Sequence, residues 1–211
     1  MAEKLKFLTP EEYLLAEETS PVRHEYVNGL LFAMTGTSQK HNLISLNIYS
    51  ALRAHLRGSS CKAFVEAVKA RVHAANSFYY PDVMVACDTE DGESVYSDQP
   101  TLLVEVLSRS TSTIDKREKA AAYKQIPSLK HYMIVHQSKR RVELHTRAEA
   151  GLWEIYEFVG HATLELGGLP NGQLSLSLDS IYEDINQETS GTRTVNEQVD
   201  DRYETGADVD W

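Results

Sequence analysis

Two carboxylates in apolar surroundings are the residues of this sequence best suited to chemistry. Glu105 lies within the run LLVEVL at 102–107, and Asp82 directly precedes the apolar run VMVA at 83–86. An unpaired ionised carboxylate among apolar side chains is costly, so Glu105 must be protonated, salt-bridged or bound to a cation. If the two runs form neighbouring strands, both carboxylates lie at one sheet edge and suit a hard divalent cation, most naturally Mg²⁺.

A lysine follows this pair in the sequence. Lys119 lies in a predicted helix at 115–126, directly after the Glu105 strand, with Asp115 and Tyr123 one turn away on either side. Residues four apart are neighbours on a helix surface, so these three side chains form one stripe. An ammonium group near a bound phosphate orients the attacking water and neutralises charge in the transition state. A catalytic Lys119 should point toward the two carboxylates, and Lys116 is its natural control.

Each of these residues also has a purely structural explanation. Asp82 could cap a turn before its strand. Glu105 could be the buried partner of Lys119 in a structural ion pair, because such networks also perturb pKa values. Lys119 could form a surface pair of small energetic value with Asp115.

The histidines and cysteines show no metal-binding spacing. His24, His41 and His131 lack a pattern such as His-Glu-x-x-His, so we expect satisfied or exposed histidines rather than zinc ligands. Cys61 and Cys87 are too few for a disulfide framework or, alone, for a zinc site. We expect each to be a buried small apolar residue in a reducing compartment.

The N-terminal half of the chain carries clear signals for elements that would position these residues. Thr9, Pro10 and Glu12 form an N-cap, an N1 proline and a capping-box glutamate, which together predict a helix start. Asn28-Gly29 between two apolar runs predicts a hairpin. Apolar residues at helical spacing predict an amphipathic helix over 38–56. Alternation at 63–72 and a run at 80–87 predict two strands.

The second half continues as a mixed α/β pattern. The near-continuous apolar run at 101–107 is typical of a central strand that is covered on both faces. After the helix at 115–126, strands are predicted at 131–136, 141–146, 153–159, 163–166 and 173–178, followed by a helical turn at 178–185. This order predicts a mixed α/β sandwich with a central sheet.

Charge and composition divide the chain into a body and a tail. The chain has 211 residues with 21 basic and 31 acidic side chains, a net charge of -10. Residues 183–211 contain most of that excess and few apolar residues, so we expect a domain at 1–185 and a mobile, dispensable tail at 186–211. The nearly neutral body argues mildly against a general nucleic-acid coat protein. No apolar stretch is long enough for a membrane helix and no secretory signal is evident, so we expect a cytoplasmic protein.

The ordered motifs resemble those of the Uma-two family of restriction endonucleases, which belongs to the PD-(D/E)XK nuclease superfamily. They are HEYVNG at 24–29, YPDV at 80–83, VEVLS at 104–108, the stripe from Asp115 to Tyr123, and YMIV at 132–135. The resemblance extends from Leu8 to about Ile185. It implies a restriction-endonuclease-like α/β fold, with a mixed central β-sheet flanked by helices.

The resemblance also implies roles for particular residues. Asp82 matches the metal-binding aspartate, Glu105 matches the second acidic ligand, and the carbonyl of Val106 matches the backbone ligand that completes the shell. Leu107 stands where the superfamily motif has a lysine, which implies that Lys119 on the following helix takes that role.

Two residues nearer the N-terminus also match the family. Glu25 resembles the additional acidic residue of many such nucleases, and it joins Asp82, Glu105 and Lys119 as a candidate catalytic residue. His41 occupies a family-like position on the long helix.

From these observations we expect a Mg²⁺-dependent endonuclease, with Mn²⁺ as the alternative cation, that acts on DNA as a homodimer. The chief alternative is a catalytically silent module of the same fold that binds nucleic acid or protein. A metal-dependent hydrolase of a small phosphoester is a third reading. A steep fall of affinity with salt would distinguish nucleic-acid binding from a small substrate.

Overall fold

The computed structural model describes residues 7–87, 92–108, 113–149 and 151–185. In the third helix, side chains are described from Arg117 onward. The expected tail at 186–211 lies outside the described residues, as do the side chains of Asp115 and Lys116. The helices of the described part are α1 (Pro10–Glu18), α2 (Gln39–His55), α3 (Thr113–Tyr123) and α4 (Leu178–Ile181).

The strands form two large sheets and one hairpin. The five-stranded sheet contains, in spatial order, β2 (Leu30–Ala33), β1 (His24–Val27), β5 (Ser77–Tyr79), β4 (Lys69–Val72) and β7 (Tyr96–Ser97). The six-stranded sheet contains β11 (Trp153–Val159), β10 (Arg141–Arg147), β9 (His131–His136), β8 (Pro100–Leu107), β6 (Val83–Ala86) and β3 (Lys62–Val65). The hairpin consists of β12 (Thr163–Leu166) and β13 (Leu174–Ser177). The pairs β8–β9 and β4–β7 are parallel and their neighbours antiparallel, so the expected mixed α/β fold is confirmed.

Local sequence signals explain how the first elements begin and turn. The Thr9 hydroxyl accepts a hydrogen bond from the Glu12 N–H at 3.2 Å, and the Glu12 carboxylate accepts one from the Thr9 N–H at 2.9 Å. This is the predicted capping box, which satisfies two N–H groups that a helix start leaves free. Asn28 and Gly29 both have positive φ (46° and 95°), as a two-residue hairpin turn requires.

The strand predicted at 63–72 is wrong as one continuous element. It divides into β3, which belongs to the six-stranded sheet, and β4, which belongs to the five-stranded sheet. Glu66 lies at this crossing in the left-handed region (φ 52°), which interrupts the extended backbone of the strand. The alternating pattern continues through the break, so it gives no sign of the change of sheet.

The run predicted as a strand at 80–87 lies at a second crossing between the sheets. Strand β5 ends at Tyr79 in the five-stranded sheet, and β6 begins at Val83 in the six-stranded sheet. The Glu66 N–H donates to the Asp82 carbonyl at 3.2 Å, which joins the two crossings directly.

Strand β8 is buried on both faces, as its apolar sequence predicts. Residues Leu102, Val104 and Val106 pack with α2, α4 and the β12–β13 hairpin. Leu103 packs on the opposite face with the residues of α3 and the segment that follows it. Successive side chains of a strand alternate between faces, so Glu105 lies on the α3 side of the sheet.

The expectation of two free thiols is wrong. Cys61 and Cys87 form a disulfide. They flank the antiparallel pair β3–β6, in which Lys62 is opposite Ala86, and this register brings the two side chains together. The cysteine argument for a reducing compartment therefore no longer applies, and a cytoplasmic location stays a prediction. None of the helices in the described ranges combines the length and apolar composition needed to cross a membrane.

Candidate functional site

Asp82 and Glu105 lie on neighbouring segments of the six-stranded sheet. Strands β6 and β8 are antiparallel with Val83 opposite Val104, so Asp82 and Glu105 are the next residues along each strand. The Val106 N–H donates to Asp82 Oδ2 at 2.5 Å, which fixes the position of that carboxylate. The ligand role of the Val106 carbonyl stays a prediction.

Glu105 is buried and contacts the helix that follows its strand. The Tyr123 hydroxyl donates to Glu105 Oε1 at 2.7 Å, and Lys119 Nζ lies 3.6 Å from Oε2. Burial raises the pKa of Glu105 to about 8, against the opposing effect of the Lys119 charge, and the charges of Asp82 and Glu25 raise it further. In the absence of a cation, Glu105 therefore holds its proton well above the ordinary pKa of a glutamate.

Lys119 connects Glu105 to the five-stranded sheet. Its Nζ lies 2.7 Å from Glu25 Oε1 on strand β1, and the same carboxylate oxygen accepts a hydrogen bond from the Tyr80 N–H at 3.2 Å. The Lys119 side chain is only 15% exposed, so it does not behave as one half of a solvated surface pair. The ammonium group points toward Glu105, as a catalytic role requires, although the same contact would serve a structural ion pair.

Asp82 also belongs to a cluster with His41 and Glu66 that the sequence did not predict. The ligand atoms of His41, Glu66 and Asp82 all lie within 4.8 Å of one another. His41 is in the first turn of α2, where its N–H donates to the N-cap Ser38 hydroxyl at 3.2 Å. Its Nε2 lies 3.3 Å from Asp82 Oδ2. His41 therefore has a hydrogen-bond partner, as expected, and that partner is a predicted metal ligand.

The other two histidines behave as expected. His24 Nδ1 lies 3.2 Å from a Glu17 carboxylate oxygen. The two ring nitrogens of His131 lie 3.2 Å from the Thr146 hydroxyl and 2.7 Å from the Gly167 carbonyl. Both imidazoles therefore have hydrogen-bond partners other than Asp82 and Glu105.

The environment of His41 favours its protonated form while no cation is bound. Burial lowers the pKa of His41, but the hydrogen bond and negative charge of Asp82, the charge of Glu66 and the Val106 backbone together outweigh that effect, so the net pKa lies above the ordinary value. Cation binding at this imidazole would have to displace a proton.

Two buried polar atoms of this group have no hydrogen-bond partner among the described residues. They are His41 Nδ1 and Glu66 Oε1. Buried polar atoms are nearly always hydrogen-bonded, so two exceptions in one cluster are the pattern expected where a bound ligand supplies the missing contacts. Two carboxylates and an imidazole suit a divalent cation, and the nitrogen donor favours Mn²⁺ over Mg²⁺.

The sequence carries a local signal for Glu66, whereas His41 is indicated only by its family-like position on the long helix. Glu66 lies among Val65, Ala67 and Val68, so it is an isolated carboxylate in an apolar run, as Glu105 is. His41 has no such signal, because its proximity to Asp82 arises only when α2 packs against the six-stranded sheet.

The chain resembles known proteins over most of its length. Residues 10–179 match the sequence model of the Uma2 family, described as "Putative restriction endonuclease". The chain is 34% identical over 179 residues to the uncharacterized protein slr1290 of Synechocystis sp., covering 84% of this chain and 93% of that protein. It is 30% identical over 158 residues to the uncharacterized protein sll1609 of the same organism, covering 74% of this chain and 89% of that protein.

A solved structure has a similar fold. It is the crystal structure of "a putative nuclease belonging to DUF820" from Anabaena variabilis ATCC 29413, with a TM-score of 0.65. The match covers 83% of this chain and 97% of that one at 17% identity, so this likeness concerns the fold alone. The match over residues 10–179 shows that the chain belongs to the Uma2 family.

Proposed function

We propose that this chain is a metal-dependent endonuclease that hydrolyses DNA phosphodiester bonds. One observation carries the proposal: in a chain of this family, acidic side chains, a histidine and a lysine meet where the two sheets exchange strands. Asp82 links the acidic side chains to the histidine, since it lies within ligand distance of His41 and Glu66 and is opposite Glu105 in the strand register.

The residues fit a divalent cation. His41, Glu66 and Asp82 would hold it, with Glu105 as a further ligand once its proton has left. A cation bound there would supply Lewis-acid stabilisation of negative charge on the phosphate. Mg²⁺ and Mn²⁺ both suit the carboxylates, and the imidazole of His41 shifts the preference toward Mn²⁺.

Lys119 would act on the substrate side of the carboxylates. Its ammonium group is held by Glu25 at 2.7 Å and approaches Glu105 at 3.6 Å. From this position Nζ would donate a hydrogen bond to a phosphate oxygen or to the attacking water, and its charge would stabilise the transition state. Glu25 would keep the ammonium group in place, and Tyr123 would orient Glu105 through its hydroxyl.

A cleavage assay tests this function. Supercoiled plasmid, linear duplex and single-stranded RNA are incubated with the purified chain in EDTA, Mg²⁺ or Mn²⁺. We expect DNA cleavage only with a cation and at least about 100-fold slower cleavage by Asp82→Asn, because the common ligand has lost its charge. Asp98→Asn is the matched control: this carboxylate is exposed and pairs with His73, away from the cluster.

The outcomes separate the alternatives. Cleavage that is equal in wild type and Asp82→Asn would show that this site does not carry the activity. Cation binding without cleavage of any nucleic acid would favour the catalytically silent module.

A further inference from the structure

We propose that a second copy of this chain binds along the free edge of β11, antiparallel about a twofold axis at Tyr156, so that the two six-stranded sheets become continuous. Strand β11 is the last strand of its sheet, and within the described ranges no strand pairs with its outer side. It has seven residues, compared with four in the edge strands β2 and β3 and two in β7.

The hydrogen bonds at both ends of the β10–β11 pair identify the backbone groups at the free edge. The Gly160 N–H donates to the Arg140 carbonyl at 3.1 Å, and the Ala148 N–H donates to the Leu152 carbonyl at 2.8 Å. Hydrogen-bonded pairs alternate along an antiparallel ladder, so even-numbered residues of β11 bond to β10. The N–H and C=O groups of 153, 155, 157 and 159 are therefore directed to the free edge.

This edge lacks the usual protection against pairing. Exposed edge strands are normally shielded by proline, lysine, bulges or charge, whereas β11 has neither proline nor lysine. Its apolar residues are largely exposed: Ile155 is 58%, Tyr156 48% and Val159 57% exposed.

The two glutamates of β11 are already engaged within their own subunit. Glu157 pairs with Arg141 at 3.0 Å, and Glu154 accepts a hydrogen bond from the Tyr156 hydroxyl at 2.5 Å. Glu157 is therefore paired with a cation, whereas Glu154 keeps its negative charge and, in the proposed register, faces the partner's Phe158 rather than another carboxylate.

The sequence of β11 is complementary to itself in one register. With the axis at Tyr156, Ile155 faces the partner's Glu157 and Glu154 faces the partner's Phe158, so all seven residues pair and no glutamate meets another. An axis at Glu157 would set two glutamates directly opposite each other, which is unfavourable. An axis at Ile155 would leave Val159 beyond the end of the partner strand.

A cavity lies on the face of the sheet beside this edge. It measures about 880 Å³, and its lining includes Leu144, Tyr156, Phe158 and Thr163. Tyr156 and Phe158 lie on the even-numbered face of β11. In the proposed register the partner's Tyr156 lies next to this face and extends the wall of the cavity.

Solution mass tests the interface. Analytical ultracentrifugation of the full chain should show a dimer, and Tyr156→Glu should raise its Kd at least about 30-fold, because it removes the central aromatic residue and sets two charges across the axis. Ile155→Lys is the matched variant: it adds a charge to the same edge but faces the partner's Glu157, so the dimer should persist. Unchanged circular dichroism would show that both variants fold.

Cysteine cross-linking tests the register. Under mild oxidation Tyr156→Cys should form a disulfide-linked dimer, because that residue faces its own copy, whereas Glu154→Cys should not. A monomeric wild-type chain at about 50 µM, well above the Kd of specific dimers, would overturn the proposal. So would a dimer that Tyr156→Glu leaves intact, or equal cross-linking by the two cysteine variants.

Discussion

Glu105 is a carboxylic acid whose protonation depends on what surrounds it. Its side chain contacts Tyr123 and Lys119, and its burial accounts for most of the rise of its pKa to about 8. A cation that binds this carboxylate has to displace its proton, so occupancy of Glu105 should increase with pH.

The raised pKa of Glu105 predicts a pH-dependent free energy of unfolding. Between the ordinary pKa of 4.5 and about 8, the unfolded chain has lost a proton that the native state keeps. The free energy of unfolding should therefore fall by up to about 1.4 kcal/mol for each pH unit in this range. The stability that the neutral form of Glu105 provides is complete below the ordinary pKa and is lost as pH passes the folded pKa. Glu105→Gln should flatten this slope and be the more stable protein at pH 9, as measured by urea denaturation at pH 6 and 9 in EDTA. A difference between the two proteins that does not change with pH would contradict the assignment.

Lys119 is the residue on which the proposed chemistry depends most. Lys119→Ala should slow metal-dependent cleavage about 100- to 1000-fold, since it removes an ammonium group that contacts both Glu25 and Glu105. The fold should persist, because Glu105 can remain neutral. Lys116→Ala, three residues away on the same helix, should leave substantial activity in the same kinetic assay. Near-normal activity in both variants would remove lysine from the mechanism.

The residues of the site differ in how far the sequence reveals them. Asp82 and Glu105 stand out because a carboxylate in an apolar run needs a partner, and the strand pairing brings them to adjacent positions. Lys119 follows from helix spacing and the family resemblance. His41 approaches Asp82 only through the packing of α2, which no local pattern specifies.

The position of α3 relative to β8 matters most among the elements, since α3 carries Lys119 and Tyr123, which contact Glu105. The segment that follows it is tied to the six-stranded sheet by Arg147 of β10. The Arg147 guanidinium donates to the carbonyls of Lys124, Ile126 and Leu129 at 2.8–2.9 Å. It also stacks over the Trp153 ring at 4.7 Å.

Removing this anchor should destabilise the protein. Arg147→Leu leaves three carbonyls without their charged donor and should lower the free energy of unfolding by about 2–3 kcal/mol, measured by chemical denaturation. Arg141→Leu on the same strand breaks only the exposed pair with Glu157 and should cost about 0.5 kcal/mol or less. Equal effects of the two substitutions would mean that Arg147 does not anchor the segment.

The elements themselves were predicted well where their signals are local. The capping box at Thr9 and the positive φ of Asn28 and Gly29 are properties of a few adjacent residues. The crossings at 66–68 and 80–82 were missed because the alternation at 63–72 and the apolar run at 80–87 both continue while the chain changes sheets. Which sheet a strand joins depends on pairings with distant residues.

At the scale of the whole molecule, the Cys61–Cys87 disulfide links β3 to β6. It closes a loop with a sequence separation of 26 residues, which includes β4 and β5 of the other sheet. A disulfide that closes a loop of this length lowers the conformational entropy of the unfolded chain and so stabilises the fold by about 3 kcal/mol.

Reduction should therefore lower the thermal midpoint by many degrees. The double variant Cys61→Ser, Cys87→Ser should melt at the same temperature as the reduced wild type and should not respond to the reductant. Thiol titration of the unfolded protein, with and without reductant, measures the bond itself. A wild-type midpoint that does not change on reduction would contradict this prediction.

Glu66 and Asp82 lie where the chain passes between sheets, so a ligand held by both belongs to neither sheet alone. Opening either sheet locally would release the ligand, so the free energy of opening either sheet would include the binding free energy of the ligand. At a cation concentration 100 times the Kd, this amounts to about 2.7 kcal/mol. Saturating Mn²⁺ should then slow amide hydrogen exchange in β4 and β6 by similar factors. Protection confined to one sheet would mean that the cation is held on one side of the crossing only.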